Sequence, residues 1–271
     1  MHTGTFDLNT LDVADLHRRD ATFADAYITK IASFGAAWYG LPHGADAAAL
    51  THCATGLARA SRPECVDRVQ RAAEQAATLA LHGARSLKPV WADQHVTGTR
   101  LNVSALLSGQ PRAWGRFDRK PSVGNRTVAL YIDCTGNSNV SGDALAWAPV
   151  AGLIVADMLE SAGYRAEVWA VACSGYSGDR TTVRTLLKAP EHVVDLASLS
   201  RMAHAVFARA IMYPQLAQFS EGTLPSSYGH AATINPADFG DDNAVVISAC
   251  YSLTNAVAEI KRVIAQFGGE P

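Results

Sequence analysis

The stretch Thr127–Ser141, TVALYIDCTGNSNVS, decides how this chain is read. Thr127 to Asp133 contains no Gly or Pro and carries Val128, Leu130, Tyr131 and Ile132, the composition of a short buried strand. The run stops in a polar turn around Gly136. Ala148 to Ser161 then reads as a helix, and Ala166 to Cys173 as a second strand. Strand, loop, helix and strand make one βαβ unit, and a crossover of that length sets the two strands parallel. Ligand sites in such sheets form at the carboxyl ends of the strands. Asp133, Thr135, Asn137, Ser138 and Asn139 fall at that end.

Downstream, Ser174 to Asp179 is a turn and Thr181 to Lys188 reads as a strand. Turn-type residues between two strands predict a hairpin, hence an antiparallel strand at the sheet edge. Leu196 to Ile211 reads as one helix that stops before Pro214. Leu216 to Asp242 is a long polar loop with Gly222, Pro225, Gly229, Pro236 and Gly240. Ala244 to Ala249 is a third parallel strand. Leu253 to Phe267 is a terminal helix with Val257, Ile260, Val263 and Ile264 on its core side. Upstream, Asp12 to Asp20 holds a helical turn or two within a polar arm. Ala45 to Ala60 and Cys65 to Leu81 read as helices, and Pro63 and Glu64 suit a first turn. The expected division is residues 1–110 as an arm and helices packed on the main domain, and 111–271 as the α/β domain.

Hydrophobic residues make up 48 % of the 271, enough for a sizeable core. The formal charge of -2 leaves no electrostatic footprint for nucleic acid, so none is expected as a partner. No stretch reaches the roughly 18 apolar residues of a membrane span. The amino terminus, MHTGTFDLNTLDVADLH, lacks a basic region followed by an apolar run, so the expected location is cytoplasmic. The five cysteines form no CxxC pair and read as free buried thiols of a reducing compartment.

The strand followed by Asp133-Cys134-Thr135-Gly136-Asn137-Ser138 and a helix resembles the opening of a von Willebrand factor A-like domain. That family's first strand ends in Asp-x-Ser-x-Ser and supplies ligands to a divalent metal, usually magnesium. By this resemblance Asp133 stands at the acid, Thr135 at the first hydroxyl and Asn137 at the second, where an amide oxygen serves a hard cation instead. The family's later threonine falls on Thr233, with Thr181 as the alternative. Its aspartate after the fourth main strand has no counterpart in Ser248-Ala249-Cys250-Tyr251-Ser252. Gly136, Ser138, Asn139 and Ser141 complete the implied ligand-binding loop. The layout of residues 30 to 268 also resembles uncharacterised von Willebrand A-like proteins of tailed phages and prophages. The shared features are Ala36-Ala37-Trp38-Tyr39-Gly40, Leu106 to Pro111, Lys188-Ala189-Pro190 and Met212-Tyr213-Pro214.

The fold class that follows is α/β: a three-layer, Rossmann-like, von Willebrand A-like fold. Its sheet is mostly parallel with one antiparallel edge strand, and it carries an N-terminal helical extension. The resemblance implies a protein-binding or assembly module of phage type with a degenerate adhesion-like site, magnesium held weakly, and a protein partner or self-association. It implies a host cytoplasm or a phage particle as the setting. A metal-dependent or serine hydrolase using the strand-end cleft and a structural virion component are the alternatives. No catalytic residue is nominated. Gly136-Asn137-Ser138-Asn139-Val140 is not a GxSxG elbow. No spacing selects His192, His204 or His230 as a base, and Cys134 has no basic neighbours in sequence. The turn is too poor in glycine for a dinucleotide fingerprint. Asp133 also suits a capping role toward the amides of its turn, and Asp143 suits the cap of the helix that begins near Leu145.

Overall fold

The apolar run around Leu130 becomes an interior strand of a five-stranded sheet, and the alanine-rich helices stack on one side of it. The computed structural model describes residues 2–8, 10–19, 35–81, 100–101, 114–115, 127–136, 139–176, 179–219 and 232–267. The amino-terminal part contains strand β1 (His2–Asp7) and helices α1 (Val13–Arg19), α2 (Ala47–Arg59) and α3 (Pro63–Leu81). A short antiparallel ribbon joins β2 (Arg100–Leu101) to β3 (Trp114–Gly115). Then follow β4 (Thr127–Asp133), α4 (Trp147–Ser161), β5 (Arg165–Tyr176) and β6 (Asp179–Lys188). The chain continues with α5 (Leu196–Ser200), α6 (Tyr213–Phe219), β7 (Val245–Ile247) and α7 (Leu253–Phe267).

The strand order is β1-β6-β5-β4-β7. β4 runs parallel to β5 and to β7, β5 and β6 are antiparallel, and β1 is parallel to β6. The fold is therefore α/β with a mostly parallel sheet, and the hairpin strand is antiparallel as expected. It is not the edge. β1 adds outside it, with His2 opposite Thr181 and Asp7 opposite Leu186. HTGTFD is too polar to announce a strand. It holds because Phe6 packs edge-to-face on Phe219 at 5.2 Å while Thr5 turns to the other face toward Arg184.

The sheet separates two cores. Leu130 and Ile132 of β4, and Ala166, Val168, Ala170 and Ala172 of β5, face the helices. Every described α-helix contributes to that cluster, so α2 and α3 share the core of the sheet instead of building their own. Close approach needs small residues. A Cβ at Gly152 would lie 2.2 Å from Ile132 Cδ1, so glycine is what lets α4 lie on β4. Tyr131, Trp169, Val171 and Cys173 point the other way. Where a third helical layer was expected, the described cover on this face is the segment 232–244. Ile234 and Phe239 supply its apolar contacts, and its regular part is the 3-10 turn Pro236–Phe239.

The expected single helix from Leu196 to Ile211 is broken. α5 ends at Ser200, a 3-10 turn spans Arg201–Ala203, and His204 is extended. His204 Nδ1 accepts the Val206 N–H at 3.1 Å and so starts the next helical stretch. That stretch is a π-helix, Phe207–Met212, and it runs through Pro214 into α6. Proline has no N–H to offer the carbonyl four residues back. Here that carbonyl is Ala210 O, and His17 Nε2 of α1 donates to it at 2.7 Å. Burial lowers the pKa of His17, which keeps the ring neutral, so Nδ1 accepts the Thr51 hydroxyl at 3.0 Å. His17→Ala leaves Ala210 O unmet and should destabilise the fold by about 1–3 kcal/mol. Urea unfolding of the full chain measures this, and an unchanged midpoint would show that another donor serves the carbonyl.

Candidate functional site

β4 ends inside the protein, so the peptide groups that follow Ile132 need partners. Cys134 N–H extends the ladder to Val171 O at 2.8 Å. The Asp133 carboxylate turns along the chain and accepts the Thr135 N–H at 2.8 Å. The Thr135 hydroxyl and the Ala249 N–H are also directed at it. Thr135 Oγ1 accepts the Cys173 N–H at 3.0 Å, which ties the exit of β4 to β5. The Tyr251 hydroxyl donates to Thr135 O at 3.0 Å. Gly136 is held twice by Tyr213: its N–H donates to the hydroxyl oxygen at 3.0 Å, and the hydroxyl donates to Gly136 O. A Cβ on Gly136 would lie 2.3 Å from Leu145 Cδ2, so a larger residue here would have to push the Leu145 side chain aside.

The far side of the loop is braced from the π-helix. Arg209 donates to Val140 O and to Trp38 O, with its guanidinium 3.7 Å from the Trp38 ring centre. Ser141 Oγ accepts the Ala144 N–H at 3.3 Å. Ser141 thus does the capping expected of Asp143, whose carboxylate instead pairs with Arg68 at 3.0 Å on the surface.

A cavity of about 510 Å³ opens at the carboxyl ends of β4 and β7. Asp133, Thr233, Ser248, Tyr251 and Arg262 line it together with smaller apolar residues. Of the residues nominated for a metal, the cavity joins Asp133 and Thr233. Thr135 is only 1 % exposed, its hydroxyl is engaged with Cys173 N–H, and it does not line the cavity. Asn137 and Ser138 lie outside the described residues. Gly136 is buried behind the turn, while Asn139 and Ser141 are exposed on the loop and away from the cavity wall. Thr181, the alternative to Thr233, is buried in β6. Among the described residues no group of three or more His, Cys, Asp or Glu is placed to hold a metal ion.

Asp133 is 6 % exposed, and burial raises its pKa to about 6 against the pull of the Thr135 and Ala249 donors. It forms no ion pair among the described residues. Burial, with the Asp133 charge added to it, raises the neighbouring Tyr213, Cys250 and Tyr251. Arg262 is matched by Glu259 at 2.8 Å and donates to Val246 O. The arrangement can therefore offer one buried carboxylate, several hydroxyls and a neutralised guanidinium. Among the described residues no histidine or cysteine lines the cavity. Sequence reasoning named Asp133 and Thr233 but not Tyr213, Tyr251, Arg209 or Arg262. The one signal available was Arg209, a single charge inside the apolar run Ala205 to Tyr213.

The family model of a domain of unknown function, DUF7192, matches residues 17–270. The chain belongs to that family. The matched span includes every residue of the cavity and the whole π-helix, while β1 precedes it. No curated protein and no solved structure matches the chain. Among the described residues no helix is long and apolar enough to cross a membrane.

The raised pKa of Asp133 makes a signed prediction. The unfolded chain releases this proton near 3.8 and the folded chain near 6, so ionisation costs stability. The favourable contribution is complete below the lower value and is lost as pH rises through the upper one. Asp133→Asn cannot ionise. In metal-free buffer its stability relative to wild type should increase between about pH 4.5 and about pH 7.5, by up to about 2 kcal/mol. Urea unfolding at the two pH values checks this, and a pH-independent difference would mean that the carboxylate is already charge-compensated.

Proposed function

We propose that this chain is a protein-binding or assembly module whose contact site is the crevice at the carboxyl ends of β4 and β7. One observation carries the reading: a buried carboxylate, Asp133, faces a cavity of about 510 Å³ at the strand ends, where open α/β sheets take their ligands. The loop around it is braced by Tyr213, Tyr251 and Arg209. A braced loop loses little freedom on binding, which favours recognition. The likeness to von Willebrand A-like domains points the same way, since Asp133 and Thr233 line one cavity as that likeness implies. A divalent ion there would take those two oxygens, with water and a partner's carboxylate completing its shell. One formal charge makes such binding weak. Binding is preferred to hydrolysis because, among the described residues, no histidine lines the cavity and burial raises all five thiols. The free cysteines suit a reducing, cytoplasmic setting.

Two experiments test this. A photo-crosslinking residue at Thr233 should give a discrete adduct with a partner protein from the source cell, and Asp133→Ala should abolish it. The same residue at the exposed Leu79 on α3 should give none. Adducts from Leu79 and not from Thr233 would move the contact off the crevice. Calorimetric titration with magnesium and manganese should show affinity no tighter than roughly millimolar for wild type and none for Asp133→Ala. Micromolar binding that survives the substitution would assign the ion to other residues.

A further inference from the structure

The Asp133 cavity fits an organic cation better than a bare metal ion. A hard divalent cation wants six or more oxygens, several of them charged. Among the described residues this cavity offers one acid, and the Thr135 hydroxyl beside it is already engaged by Cys173 N–H and by the carboxylate itself. An ammonium or guanidinium group asks for less. One carboxylate supplies the charge, and neutral oxygens accept its remaining N–H donors.

We infer that the cavity receives the ammonium or guanidinium group of a basic side chain presented by a protein partner, with Asp133 as its counter-ion. The inference rests on the crevice being the protein-contact site. Four features support it. Asp133 is buried and held by donors that carry no formal charge, Thr135 N–H, Thr135 hydroxyl and Ala249 N–H. It makes no ion pair among the described residues, so an incoming cation meets an uncompensated charge in a poorly solvated place, where opposite charges attract most strongly. Thr233 and Ser248 are exposed on the rim and carry hydroxyl acceptors, and Tyr251 provides an aromatic wall. The volume, about 510 Å³, suits a long side chain and part of its backbone, and far exceeds what a single ion occupies. Arg262 on the wall does not repel the guest outright, because Glu259 pairs with it at 2.8 Å. Burial is what gives the site its selectivity: an apolar side chain of the same length would leave Asp133 as costly as before.

The test uses blocked single residues and the full chain. N-acetyl-lysine methylamide and N-acetyl-arginine methylamide should give saturable shifts of the Ala249 and Tyr251 amide resonances, and the norleucine analogue should give none at the same concentrations. Asp133→Asn should weaken binding at least tenfold. Its amide oxygen can still accept the Thr135 N–H, so the turn is preserved. Should that variant unfold, Thr233→Trp, which narrows the mouth from an exposed position, should weaken binding to a similar degree. Equal binding of the norleucine analogue, or unchanged affinity in the folded Asp133→Asn variant, overturns the inference. So does n-butylammonium binding as tightly as the blocked lysine, which would assign the cavity to free amines. Magnesium saturation with no response to either basic probe overturns it while leaving the crevice as a contact site. Loss of the Thr233 crosslink together with intact binding of the basic probes would instead overturn the protein-contact reading.

Discussion

A strand that ends inside a protein leaves peptide groups that water does not reach, and each one left unmet costs about 1–3 kcal/mol. The site follows from how the exit of β4 meets that constraint. The Asp133 carboxylate, the Thr135 hydroxyl and the Tyr213 and Tyr251 hydroxyls serve or bridge successive peptide groups from Thr135 to Gly136 and across to Cys173. They come from β4 itself, from α6 and from the segment after β7. Those elements converge there because the peptide groups need them, and the cavity is the space left between β7 and the segment that covers it. Asp133 thus combines two roles: it closes the turn, and among the described residues it is the acid that lines that space.

The second costly group is Arg209. Burial lowers its pKa to about 10, which still leaves it charged near neutral pH. Among the described residues no carboxylate pairs with it. Two carbonyl oxygens and the Trp38 ring hold the guanidinium, while Nε has no partner among the described residues. A buried cation served only by dipoles is retained at a cost. It sits in a π-helix, a geometry that recurs at functional sites. The arrangement joins the Ala36–Tyr39 turn, the π-helix and the loop after β4 into one unit. The loop is therefore held from both ends, by Tyr213 at Gly136 and by Arg209 at Val140.

The sheet edges are handled by side chains as well. In β7, Val246 O and Ser248 N–H belong to the side away from β4, because alternate peptide groups face opposite neighbours. Arg262 donates to the first, and Glu259 accepts from the second at 3.2 Å. The Glu259–Arg262 pair of α7 thus stands where a residue of a further parallel strand would bond, which discourages edge-to-edge association. The same arginine forms part of the cavity wall, so edge protection and the cavity share one side chain. At the opposite edge, β1 covers β6, and Thr5 and Asp241 both engage Arg184, whose guanidinium lies between Trp169 and Phe239.

Local pattern was enough for elements whose burial repeats along the chain. Thr127–Asp133 and Leu253–Phe267 have the bounds expected of them, because an apolar run or an apolar stripe records its own environment. The parallel setting of β4 and β5 followed from the length of the crossover, and the antiparallel β6 from the turn before it. β1 was invisible because a polar edge strand exists only where another strand offers it hydrogen bonds. The helix after Leu196 was misread as continuous because its break rests on His204 bonding Val206 N–H, and its passage through Pro214 on His17, 193 residues from Ala210. At the site, Asp133 was legible as the acid that ends a buried strand. The commitment of the Thr135 hydroxyl to Cys173 was not, since the two lie 38 residues apart, and neither was Tyr251, 116 residues from Thr135. The sequence by itself determined the α/β class and the position of a buried acid at a strand end, because periodicity and a polar stop are local facts. Only the tertiary structure decided which oxygens face the cavity, because a hydroxyl turns toward whichever unmet peptide group the fold brings within reach.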